Sequence, residues 1–238
     1  MILTRDDLEI IAENIIADFK KEIGIDTSFT LIEQLATEYL KLRVTFERLS
    51  NDSGFCGVTA YKDTQFKTVV DGHTKIIRIK KNQVILDSDF MEVGKVSELC
   101  GKRRFTLAHE IAHQILFSLE NEEEKLKYEK MYSTRKAHTI RELKTFEDWN
   151  EWQANALGAA LLMPRASVDI FMKEIISSIR ESLPFFLKDL NMSVYSSYIL
   201  DCFCEHFHVS RSAGTIRLTQ LGYIKEDMMC KHKEIVYG

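Results

Sequence analysis

The segment FTLAHEIAHQIL, residues 105–116, places two histidines four positions apart with a glutamate directly after the first. Residues four apart on an α-helix lie one turn above each other, so His109 and His113 would share a face. Leu107, Ile111 and Ile115 recur at helical spacing on another side. The spacing predicts an amphipathic helix over 104–119. Such a helix must be buried along one side while its histidine face meets a second element able to complete a site.

The two imidazoles can converge on one cation, with Glu110 about 100° around the helix from His109 and able to reach a water held there. A cation lowers the pKa of that water towards ~7, and a neighbouring carboxylate can take its proton. Catalytic sites of this kind use three protein ligands and leave one position for water. In the extended H-E-x-x-H-x-x-G-x-x-H pattern a third histidine would stand at position 119 after a glycine at 116. Leu116 and Leu119 occupy those positions and exclude that class.

A carboxylate from a second helix is the alternative. FEDWNEWQANALGAALLMP predicts a helix over about 147–162, ended by Pro164. Ala154, Gly158 and Ala159 are small enough for close approach to the histidine helix. Glu151 is then the expected third metal ligand, with Glu147 one turn earlier as its main rival and Asp148 less well placed. Asn155, one turn beyond Glu151, could orient a ligating imidazole. The competing reading makes Glu151 a surface residue on a helix packed through alanines.

The rest of the pattern is α+β. Thr4 and Asp7 form a capping box for a helix over 5–22 carrying Leu8, Ile11, Ile15 and Phe19. Ser28 could cap a second helix with Leu31, Leu35, Tyr39 and Leu42 on one face. From Val44 to Leu86 the runs VTF, GVTAY, FKTVV, KIIRI and QVILD, broken at Asn51–Gly54 and Asp71-Gly72, predict a small antiparallel sheet. ENEEEKLKYEK reads as a solvated face or connector. Further helices are expected over 166–182 and 194–206, then one capped by Ser210 that runs to Leu221 and ends at Gly222.

Composition narrows the partners. The 238 residues are 45% hydrophobic and carry a net charge of -4, which gives no global electrostatic case for nucleic acid or anionic membrane. The acidic N-terminus lacks signal-peptide order, and no apolar run approaches the ~18 residues of a membrane span. Five scattered cysteines argue against a disulfide framework. A cytoplasmic protein with reduced thiols is expected.

Three weaker signals rank below the histidine motif. CFCEHFH (Cys202, Cys204, His206, His208) holds metal-ligand residue types, but Ile199, Phe203 and Phe207 make it a packed helix first. FHVSRSAGTIRLTQLGYI resembles the second half of a helix-turn-helix. Over 194–238, however, Arg211, Arg217, Lys225, Lys231 and Lys233 are balanced by Asp201, Glu205, Glu226, Asp227 and Glu234. Zero net charge is a poor DNA footprint, so a packing or substrate-contact module is expected in preference to direct DNA binding. Tyr132, His138, Tyr195 and Tyr198 are possible oxyanion stabilisers that no spacing selects.

RRFTLAHEIAH followed by EWQANALGAALLMP closely resembles the ImmA/IrrE metallopeptidases, whose hallmark is F-T-x-A-H-E-x-x-H and then E-x-x-A-[ND]-x-[FL]-A-A-x-L-L-M-P. Weaker similarity runs from IEQLATEYLKLRV to the C-terminal FHVS and IRLTQLGYI segments. The resemblance implies His109, His113 and Glu151 as metal ligands and Glu110 as general base. It implies a zincin-like domain over 1–190 and a helical, helix-turn-helix-like module over 191–238. One zinc ion, with manganese as the alternative, would serve an endopeptidase that cleaves a helix-turn-helix repressor. The rival class is a non-catalytic antirepressor in which the metal braces two helices. Gly158 departs from the hallmark, where alanine is usual, and is expected to loosen the second helix slightly.

Overall fold

The structure, a computed structural model, describes residues 1–51, 54–126, 145–182 and 192–224. The chain is α+β and divides into two compact units, Met1–Pro164 and Arg165–Gly238.

In the first unit, α1 (Arg5–Ile23) begins in the expected Thr4–Asp7 capping box and buries Leu8, Ala12, Ile16 and Phe19 as one stripe. A short α2 (Ile32–Gln34) then runs into a π turn over Leu35–Tyr39. This departs from the expected Ser28-capped helix, because Leu31 occupies the capping position without a side-chain bond. The preceding residues are shaped by bonds outside any cap: Thr27 Oγ1 donates to Phe29 O at 2.7 Å and Thr30 Oγ1 to Leu161 O at 2.6 Å.

Five strands follow: β1 (Arg43–Glu47), β2 (Gly57–Ala60), β3 (Thr64–Val70), β4 (His73–Ile79) and β5 (Gln83–Asp87). β3 and β4 pair antiparallel through Asp71-Gly72, whose φ angles of 52° and 75° fit the two-residue hairpin turn that needs positive φ twice. β2 is antiparallel to β5, with Gly57 opposite Leu86 and Thr59 opposite Val84. The expected antiparallel character stops at one pair, since β1 runs parallel to β5. Parallel neighbours need a long connection, and the chain between these two strands holds β2 and the whole β3–β4 hairpin.

α3 (Cys100–Leu119) starts four residues earlier than the periodicity predicts and packs on β2 and β5. α4 (Glu122–Lys125) is capped by Asn121, and the charged stretch beyond Leu126 lies outside the described residues. α5 (Phe146–Leu162) opens with a Thr145–Asp148 capping box and packs on both α1 and α3. Arg104 ties the start of α3 to the α2 region, donating to Thr30 O at 2.7 Å and to Glu33 Oε2 at 3.2 Å.

The second unit contains α6 (Arg165–Ser182), α7 (Met192–Phe207) and α8 (Arg211–Gln220). Phe171 of α6 meets Phe203 and Phe207 of α7 edge-on, at ring centroids 5.8 Å and 5.7 Å apart. Ser210 caps α8, accepting from Ala213 N, as the sequence predicts. Of the α8 arginines, Arg217 is buried and Arg211 pairs with Asp201, which leaves no basic face on this helix. Among the described residues no helix is long and apolar enough to cross a membrane.

Candidate metal centre

The register of α3 follows from its apolar positions. Leu107, Ile111 and Ile115 are buried in the core, which fixes the helix rotation and turns His109 and His113 together. Their rings meet edge to face with centroids 4.6 Å apart, and the two Nε2 atoms stand 3.1 Å from each other.

α5 supplies the carboxylate. Glu151 Oε1 lies 3.3 Å from His113 Nε2, and Oε2 lies 3.4 Å from His109 Nε2. All three residues are buried. The rival carboxylates are placed elsewhere: Glu147 is exposed, and Asp148 caps its own helix by accepting from Thr145 N at 2.9 Å. Small residues allow this approach, as expected, but Gly158 does not loosen it. A methyl group there would lie 3.1 Å from His109 N and 3.2 Å from Ala108 C and O. The glycine therefore brings α5 closer to α3 than an alanine would fit.

Electrostatics bind the three side chains into one group. Burial alone would raise the Glu151 carboxyl, but hydrogen bonding and charge from His109 and His113 win and hold it down at about 2. For His113 burial works against the charged ring, and the carboxylates of Glu151 and Glu110 outweigh it, so its pKa is raised. Asn150 of α5 stands near enough to His113 to favour the charged ring as well, a neighbour missed from sequence, where Asn155, one turn beyond Glu151, was the residue singled out.

The donor set fits a cation. His109, His113 and Glu151 each offer one ligand atom, and these lie within 4.8 Å of one another, the mix of two imidazoles and a carboxylate that three-ligand catalytic sites use. Two imidazole nitrogens with a carboxylate suit zinc and also manganese. Among the described residues this is the group of His, Cys, Asp and Glu side chains placed to hold a metal; Cys202, Cys204, His206 and His208 do not form one.

Glu110 is fully buried beside this group, against Gly57 of β2. Of the residues considered for oxyanion stabilisation, Tyr132, His138 and the Tyr195 side chain lie outside the described residues, and Tyr198 is 56% exposed.

A ligand triad carried by two packed helices, with a glutamate between its histidines, defines the class of metal-dependent peptidases. Residues 101–218 match the family model described as the IrrE N-terminal-like domain, a peptidase family. The chain thus carries a domain of the ImmA/IrrE family, and the match takes in α3, α5 and the second unit as far as Leu218. No curated protein matches the chain.

Proposed function

We propose that the chain is a zinc-dependent endopeptidase of the cytoplasm that cleaves a helix-turn-helix transcriptional repressor. The observation that carries the reading is the convergence of His109, His113 and Glu151 beside a fully buried Glu110. A bound cation would supply Lewis acidity for the scissile carbonyl and acidify a water to the range where a carboxylate can deprotonate it. His109, His113 and Glu151 would hold that cation. Glu110 takes the proton from the attacking water at its carboxylate and passes it to the leaving amide nitrogen.

The repressor substrate follows from the family resemblance of the two sequence blocks and gives the protein a role in transcription regulation. The helical region near the C-terminus is the part of the chain we assign to substrate contact. Its charge balance and the occupied arginines of α8 disfavour DNA as the ligand.

Glu110→Gln tests the reading. It retains the three ligands, so metal content and melting temperature should stay within error of the wild type while cleavage of a co-expressed repressor stops. Cleavage at the wild-type rate by this variant would overturn the assignment. The rival reading, a non-catalytic antirepressor, predicts that Glu110→Gln still derepresses the target promoter, so a promoter assay on the same variant separates the two.

A further inference from the structure

α3 meets β2 along one row of side chains. Thr106, Glu110 and Gln114 stand at four-residue intervals, a repeat of ~6.0 Å along the helix. Gly57 and Thr59 share one face of β2 and repeat at about 6.7 Å. The two repeats nearly match, so the row can track the strand. Gln114 Nε2 donates to Thr59 Oγ1 at 2.6 Å and to Ala60 O at 3.0 Å. One step back along both elements, Glu110 lies against Gly57.

At that step there is no room for a side chain. A methyl group on Gly57 would lie 2.7 Å from Thr106 Cγ2, 2.8 Å from Glu110 Oε1 and 3.0 Å from Glu110 Cγ. Thr106 is held in place, its hydroxyl donating to Lys102 O at 2.9 Å. β2 has nowhere to retreat, because Val58 and Ala60 on its other face belong to the core cluster with Leu49, Phe66, Ile77, Ile79 and Ile85. Of the groups in contact, the Glu110 carboxylate is the one that would have to move.

We propose that Gly57 is a positioning residue for peptide hydrolysis: its missing side chain leaves a slot, walled by Thr106, that sets where the Glu110 carboxylate lies. Gln114 pins the strand so that the slot stays in register. A glycine within a strand weakens it and commonly marks a close approach of another group, which is the situation here. The inference rests on the reading of Glu110 as general base.

The test uses full-length protein loaded with zinc for kinetics on a quenched-fluorescence peptide library and with cobalt for spectroscopy. Restoring ordinary contact at Gly57→Ala requires Glu110 to shift by roughly 0.7 Å, and a misplacement approaching 1 Å costs on the order of tenfold to a hundredfold in rate. The expected result is that loss in kcat with KM and metal stoichiometry unchanged, together with a displaced pH midpoint in the cobalt absorption spectrum. Gln114→Ala, which leaves the slot unfilled, should lower kcat severalfold in the same way and serves if Gly57→Ala does not fold. Native kcat and a native cobalt titration in both variants, beside an inactive Glu110→Gln, would overturn the slot and leave the base assignment standing. Full activity in Glu110→Gln would overturn both.

Discussion

Gly158→Ala pits helix propensity against metal geometry. In an exposed helix interior the substitution stabilises by up to ~1 kcal/mol, since alanine loses less backbone freedom than glycine on folding. Here the new methyl group would lie 3.1 Å from His109 N and 3.2 Å from Ala108 C and O. Ordinary carbon contacts begin near ~3.5 Å, so α5 must retreat from α3 by roughly 0.4 Å. The opposing groups are helix backbone and cannot rotate aside. Glu151 stands two turns earlier on α5, and its 3.3 and 3.4 Å approaches to the imidazoles open with the helix. A metal site tolerates about 0.2 Å in its ligand distances. Metal affinity should therefore fall by at least ~10-fold, comparable to losing an outer-sphere partner. Chelator competition measures the affinity, and urea unfolding of the metal-free protein measures the stability. We expect weaker metal binding with net stability unchanged or reduced by about 1 to 2 kcal/mol, the overpacking cost offsetting the propensity gain. A variant that binds metal as tightly as wild type and is ~1 kcal/mol more stable would refute the close-approach argument.

Acidification should weaken metal binding, because binding needs a neutral His113 and its pKa is raised in the metal-free site; a pH series of metal affinity checks this. In the metal-free protein, Glu151 drops from 4.5 to about 2, so its stabilisation is complete above pH 4.5 and disappears as pH falls through 2, visible in acid unfolding followed by circular dichroism. Raised His113 has the opposite sign: its share is present below pH 6.5 and is lost as pH rises through the folded-state value. Arg104→Ala removes a charged hydrogen bond of 2.7 Å to Thr30 O, which keeps the Ile32 N–H at 3.0 Å, and should cost about 1.5 to 3 kcal/mol in urea unfolding, with an unchanged midpoint counting against the tether. Gly214→Ala places a methyl group 2.7 Å from Cys204 Sγ, and should make the α7–α8 pair more sensitive to limited proteolysis.

Features carried by short-range chemistry were readable from the sequence. Thr4 with Asp7, Ser210, Asp71-Gly72 and the apolar row of α3 each act within one or two turns, and the structure realises them; in α1 the buried row keeps Leu8 and Phe19 but runs through Ala12 and Ile16 where Ile11 and Ile15 were expected. Glu151 was reachable because a hallmark glutamate sits on a helix with a small-residue face. The parallel β1–β5 pair was not legible, since strand direction depends on the route of the intervening chain. Nor was the short α2, whose approach is set by Thr30 bonding to Leu161, 131 positions away. Asn150 escaped because spacing arguments favour residues one turn from a ligand, whereas it immediately precedes Glu151 at the start of α5. Gly57 offered one usable sign, a glycine opening a short strand ahead of the β-branched Val58 and Thr59, but the sequence could not say what came close to it.

Gly57 and Gly158 together show how α3 would carry the two roles proposed for it without mixing them. Gly158 meets α3 at Ala108 and His109, and Gly57 meets it at Thr106 and Glu110. Both are close approaches of backbone to a single helix, one from α5 and the other from β2. Under the proposed mechanism the metal ligands are thereby referenced to α5, which also supplies Glu151, while Glu110 as proton acceptor is referenced to β2. A histidine-bearing helix packed only through flexible side chains would let ligand distance and base position drift together. Separate rigid references let each be set to a few tenths of an ångström, the tolerance that cation binding and proton transfer require.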